Sequence, residues 1–172
     1  EEEDYHLPPG AFLSLAEECG MLPALDAWQV RTVAKWLAAD PARCMETCGI
    51  SVSRDTLADP GFVVVVRGAL REHRVAGRAL CLQICADELP DHLHEMIACI
   101  RELPGDGVRF ALTGFGRGAV PLRMVREIEP DYVKIDSGII VGVVRSEAQA
   151  ARLSAINRVA HACGAATIAE CV

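Results

Sequence analysis

Five short apolar runs, at 45–53, 79–85, 108–113, 131–136 and 165–170, alternate along the chain with stretches of helical periodicity. Strands that alternate with helices have to be joined by crossovers, and crossovers make neighbouring strands parallel. The pattern therefore predicts an α/β fold with a parallel sheet. Local signals place the helices between the strands. Pro8-Pro9-Gly10 opens a helix over 11–19 that Gly20 stops. Asp26 stands before Trp28, Val30, Val33, Ala34 and Leu37, which predict one apolar helical face with Asp26 as its N-cap. Asp59-Pro60 opens a helix running to His73, and further helices are predicted at 91–103, 121–128 and, behind Ser146, at 147–163. Pro104-Gly105-Asp106-Gly107 reads as a turn, and Gly114-Phe115-Gly116-Arg117-Gly118 as a glycine-rich loop.

Each predicted strand leaves polar side chains near its carboxyl end: Ser51 or Ser53, Gln83, Thr113, Lys134 with Asp136, and Glu170. In a closed or partly closed α/β barrel those ends converge on one mouth. Lys134 and Asp136 are two positions apart, so on a strand they project to the same face. The other reading is a pair of charges solvated at a strand end. Asp136 and Glu170 are the only carboxylates in this set, whereas a hard divalent cation takes several oxygen ligands. A strong magnesium or calcium site is hard to assemble from it.

The length fits one domain, and residues 1–172 are read as one. A net charge of −7 excludes a broad basic surface for a polynucleotide. The apolar runs at 61–66 and 139–144 are far shorter than the roughly 20 residues that cross a bilayer. The acidic opening Glu1-Glu2-Glu3-Asp4 is unlike a basic targeting segment, which makes the cytoplasm the expected location. The eight cysteines read as mostly buried thiols, because a domain of this size has a core without disulfides. Cys44 with Cys48 and Cys81 with Cys85 lack the C-x-x-C spacing of a zinc knuckle.

In order along the chain stand Pro8-Pro9-Gly10-Ala11-Phe12 with Ala16-Glu17-Glu18, Leu25-Asp26-Ala27-Trp28, Ile50-Ser51-Val52-Ser53, Leu82-Gln83-Ile84, Phe115-Gly116-Arg117-Gly118, Lys134-Ile135-Asp136 and Ala169-Glu170-Cys171-Val172. This series resembles the bacterial EAL domain, the cyclic di-GMP phosphodiesterase family, over essentially the whole chain. The resemblance implies a TIM-like (β/α) barrel that opens cyclic di-GMP with divalent metals bound at the strand ends. By that resemblance, active members carry a Glu in a signature tripeptide, an Asn, a second Glu and an Asp-Asp pair. Here the last three are replaced by Ser51, Gln83 and Thr113-Gly114, and the tripeptide is absent. Lys134 and Glu170 match the family's Lys and a later Glu.

Without a metal, water keeps its bulk pKa and the phosphodiester has no Lewis acid. The resemblance therefore implies a non-catalytic receptor, with no metal cofactor and with cyclic di-GMP as ligand. It is closest to the metal-free FimX-type branch, which implies a PilZ-type adaptor as partner. The ligand set is then Asp26 against a guanine edge, Ser51, Gln83, Thr113, Asp136 and Glu170 at the mouth, and Lys134 with Arg117 against phosphate. Asp26→Ala and Lys134→Ala are each expected to weaken binding without unfolding the domain. Two alternatives stay open, a protein-interaction scaffold that has lost the nucleotide and a residual phosphodiesterase with ligands from outside the chain. Relative to the family the barrel is expected to be incomplete at both chain ends, as a fragment of a longer protein. A neighbouring domain or a second copy would then close the sheet.

Overall fold

A computed structural model of the chain describes residues 8–40, 42–43, 47–118, 120 and 122–170. The predicted strand start at Met45, the helix start at Pro121, and Cys44 and Cys171-Val172 lie outside those residues. Among the described residues, five strands form one sheet in the order β1-β2-β3-β4-β5, all parallel: β1 (Cys48–Ser51), β2 (Leu80–Cys85), β3 (Arg109–Phe115), β4 (Tyr132–Ile135) and β5 (Ala166–Ala169). Each strand pairs with its predecessor in the sequence, so the order never reverses as it does in a doubly wound sheet. Uniform crossovers of this kind build the wall of an α/β barrel. Hydrogen bonds do not close it, and among the described residues β1 and β5 are its edges.

The two faces of the sheet differ, and the difference follows from the period of two along each strand. Leu80, Leu82 and Ile84 of β2, Phe110 and Leu112 of β3, and Val133 and Ile135 of β4 are fully buried in the main apolar core. Alternate positions, Gln83, Thr113, Tyr132 and Lys134, are only partly buried, and Gly49 and Ser51 of the β1 edge are exposed. The core face is packed with helices, and the open face is the concave interior that carries the polar side chains.

The helices are α1 (Pro9–Glu18), α2 (Leu22–Ala38), α3 (Arg54–Ala58), α4 (Gly61–His73), α5 (Leu89–Glu102), α6 (Leu122–Ile128), α7 (Ser137–Gly142) and α8 (Glu147–Ala162). The α4 helix buries Phe62, Val63, Val66, Ala69 and Leu70, a stripe spaced to cover one helical face. It ends at Arg74 in the left-handed conformation, where the backbone N–H bonds back to Leu70 and Arg71. Two predictions fail locally. The α2 helix begins at Leu22, with Pro23 in its first turn, so Asp26 lies inside the helix and is not its N-cap. Trp28 is 61% exposed and does not join Val30, Ala34 and Leu37 in the core. The short α3, capped by the Ser53 side chain on the Thr56 N–H, is an element the sequence reading passed over.

Next to the mouth, the pairing of β3 with β4 slips between Leu112 and Phe115. The extra residue falls in Thr113-Gly114, and Gly114 takes φ +65°. A bulge with glycine in the left-handed region bends the strand and re-aims its end. Gly116 at φ +96° turns the following loop, where a Cβ would come within 2.6 Å of Ile139 and Ile156. The loop is pinned by Arg152, which donates to the Gly116 carbonyl.

Candidate functional site

A cavity of about 600 Å³ opens at the carboxyl ends of β1 to β3 and is walled by α1 and α2. Four of the sequence-predicted residues, Asp26, Ser51, Gln83 and Thr113, line it together. Its apolar side is made by Phe12, Leu25 and the exposed Trp28. A second cavity of about 250 Å³ lies over the open face of the sheet, lined by Gly49, Gln83, Tyr132, Lys134 and Ile168 among others. Gln83 borders both. Its side chain lies across β1 because Gly49 has no Cβ; a methyl there would collide with the Gln83 amide nitrogen.

Asp26 is 6% exposed, and burial of a carboxylate requires donors. Its Oδ2 accepts from the Ser53 N–H at 2.8 Å, the Ser53 hydroxyl at 2.9 Å and the Thr56 hydroxyl at 2.6 Å. The residue thereby ties α2 to the turn that follows β1. Oδ1 makes no hydrogen bond among the described residues, which leaves it as the oxygen available to a ligand in the cavity it lines. Ser53, an alternative to Ser51 in the sequence reading, is consumed by this network and by capping α3. Thr113 donates weakly to the Ile84 carbonyl at 3.3 Å.

Lys134 and Asp136 do not work as a unit. The Lys134 ammonium reaches Glu170 at 3.3 Å and the Gln83 amide oxygen at 3.4 Å. Asp136 follows β4 and caps α7, its Oδ1 accepting from the Gly138 N–H at 2.9 Å. Its Oδ2 accepts from Arg117 at 3.1 and 3.0 Å. Arg117, 64% exposed on its side chain, also stands 3.8 Å from Asp87. Expected as free cations for phosphate, Lys134 and Arg117 are each paired with carboxylates at the mouth. Deeper on the open face, Arg109 donates to the Thr47 hydroxyl and to the Tyr132 hydroxyl, the latter at 2.9 Å, which occupies the amino-terminal end of that face.

No group of three or more His, Cys, Asp or Glu side chains converges among the described residues in a way that could hold a metal ion. Burial pushes the Cys81 thiol, on the open face of β2, up to about 12, with Asp131 adding to the shift. That cysteine is an inert wall. None of the described helices is long and apolar enough to cross a membrane.

The description of the EAL domain family matches residues 1–172. The chain belongs to the EAL domain family. Its fold is accordingly that family's TIM-like barrel, seen here as a five-stranded parallel wall. Over 167 residues, 96% of its length, it is 26% identical to the cyclic di-GMP phosphodiesterase PdeB of Shewanella oneidensis, of which it covers 20%. It spans less than half the length of the curated relatives it matches. The Xanthomonas citri FimX EAL domain in complex with c-diGMP superposes with a TM-score of 0.89 at 21% identity, covering 98% of this chain and 67% of that one. The PaMucR phosphodiesterase in its c-di-GMP complex gives 0.84 at 24%, covering 98% and 69%. This EAL domain therefore belongs to a family of cyclic di-GMP signalling.

Sequence reasoning missed Trp28, Gln29 and Glu88 as cavity residues. Trp28 had a signal, since positions 28 and 30 cannot share one helical face. Glu88 had none: it sits at the start of α5 among ordinary acidic first-turn residues, and only the turn after β2 brings it to the cavity.

Proposed function

We infer that this EAL domain binds cyclic di-GMP as a regulatory module and does not hydrolyse it. The observation that carries the reading is the chemistry at the strand ends. At the positions that the family resemblance assigns to metal ligands, this chain presents the neutral Ser51, Gln83 and Thr113-Gly114. Its two remaining carboxylates there, Asp136 and Glu170, are already paired with Arg117 and Lys134. A divalent metal needs several oxygen ligands, and this donor set does not fit one.

The same residues suit binding. The cavity walled by Phe12, Leu25 and Trp28 has the apolar surface that a purine stacks on, with the Asp26 Oδ1 as acceptor for its N–H groups. Gln83 links that cavity to Lys134, whose ammonium can exchange Glu170 for a ligand phosphate. The apolar side of α1 and the loop after it, with Leu15 62% and Met21 59% exposed, supports a partner protein as well. A PilZ-type adaptor belongs to the proposal through the FimX-type resemblance, and the cytoplasm through the nature of the messenger. An interaction scaffold without nucleotide is the second reading, favoured by that same exposed surface.

The test is calorimetric titration of cyclic di-GMP into the protein with EDTA present, paired with an assay for the linear dinucleotide in magnesium and in manganese. A dissociation constant of about 1 μM or tighter, roughly −8 kcal/mol, is expected, with no product. Absence of heat at several temperatures in folded protein would turn the reading to the scaffold, and metal-dependent product would establish a phosphodiesterase.

A further inference from the structure

The 600 Å³ cavity holds a second carboxylate besides that of Asp26. Glu88 is partly buried at the turn between β2 and α5 and lines the same space as Asp26, Trp28 and Gln83. No hydrogen bond or ion pair engages its carboxylate among the described residues. Arg54, the basic group with most influence on it, donates instead to Asp55 at 3.3 Å and to His92 Nε2 at 2.7 Å. Desolvation accordingly holds the Glu88 carboxyl above its ordinary range, with Arg54 and His92 offsetting only part of the effect. Facing the cavity without a protein donor, the carboxylate is an acceptor open to a ligand that brings N–H groups.

Among the described residues, no lysine or arginine lines this cavity. The cations stand beyond Gln83, at Lys134, and on the loop after β3, at Arg117. A space with two carboxylates, an indole wall and no cation is complementary to a planar group that is uncharged, stackable and rich in N–H donors. The anionic part of the same ligand is left outside, toward Lys134. Resting on the reading that the cavity takes cyclic di-GMP, we propose that Glu88 is a base-selecting residue. Its carboxylate accepts from the N–H donors on the guanine's pairing edge, alongside the Asp26 Oδ1.

The sign of one substitution separates this role from mere proximity. Cyclic di-GMP carries two negative phosphates, so removing a nearby carboxylate that makes no contact with it would leave affinity unchanged or raise it. A hydrogen-bonding carboxylate gives the opposite result. Calorimetry with wild type, Glu88→Gln and Glu88→Ala, each shown by circular dichroism to be folded, against cyclic di-GMP and cyclic di-AMP, decides the matter. Adenine lacks the N1–H and 2-amino donors of guanine. Both variants are expected to lose tenfold or more in affinity for cyclic di-GMP, and the preference for it over cyclic di-AMP is expected to shrink. Affinity within twofold of wild type, an increase, or an equal loss for both nucleotides would overturn the assignment of Glu88 and leave the ligand reading standing. Failure of wild type to bind cyclic di-GMP would overturn both.

Discussion

Replacing Asp26 with alanine removes the acceptor for three donors at once, the Ser53 N–H, the Ser53 hydroxyl and the Thr56 hydroxyl. Hydrogen bonds to a charged group contribute about 1.5–3 kcal/mol each, so a simple sum would exceed 4 kcal/mol. Three terms reduce it. The two hydroxyl oxygens lie 2.7 Å apart, so in the variant one can donate to the other. Alanine is the better helix former at this interior position by about 0.6 kcal/mol. The desolvation that Asp26 suffers at 6% exposure also disappears. What remains is the orphaned Ser53 N–H and the loss of the tie between α2 and α3, which together come to about 3 kcal/mol. For a domain of this size that is a melting-temperature drop of roughly 6–12 °C. Thermal unfolding followed by far-ultraviolet circular dichroism measures it, with urea titration as a second route to the difference. A drop of less than 2 °C would show that the network does not anchor the helix. Asp26→Ala is still expected to leave the domain folded, but weaker ligand binding in a destabilised variant mixes two effects, whereas Asp26→Asn, which keeps an acceptor for Ser53, separates them.

Two further predictions come from other parts of the molecule. A methyl group on Gly77 would collide with the Asp106 carbonyl oxygen and approach the Gly107 carbonyl carbon and the Val108 nitrogen to 2.9 Å, all backbone atoms that cannot turn aside. Gly77→Ala is expected to destabilise by about 3 kcal/mol. Gly68→Ala in α4, where nothing lies within 4 Å, is expected to stabilise by roughly 1 kcal/mol, and chemical denaturation giving the two the same sign would refute the packing account. Cys81 and Cys99 are buried, with thiols pushed up to about 12 mainly by desolvation, so each stays protonated throughout the neutral range. An alkylating reagent at pH 8 is expected to modify the exposed Cys19 and leave those two untouched until denaturant is added; mass-spectrometric mapping that finds Cys81 modified as fast as Cys19 would refute this.

The sheet was legible because the middle strands bury one face fully and part of the other, which writes largely apolar runs, and glycine or proline marks their ends. Polar residues at those ends, Ser51, Gln83 and Thr113, were legible for the same reason: they interrupt an apolar context, and the parallel order then brings them to one cavity. Asp26 was named from the sequence and lines the cavity, but its local role was not legible. An aspartate ahead of an apolar stripe looks like a cap, and Pro23 in the first turn was the stronger start signal. The partners of Lys134 and Arg117 were out of reach, because strand spacing gives the side on which a residue emerges but not which carboxylate from another strand meets it. Glu88 shows the limit more sharply, since a surface-type residue becomes a cavity residue through the path of one turn.

The Gln83 amide, resting over Gly49 and within reach of Lys134, bears on how such a domain can change over evolutionary time. A glutamate at position 83 would place a second carboxylate within reach of the Lys134 ammonium that already pairs with Glu170. An aspartate at Gly114 would in turn have to adopt φ +65°, a left-handed conformation that aspartate tolerates better than most side chains do. Both changes fit the present path of the backbone, so the mouth can gain acidity one residue at a time.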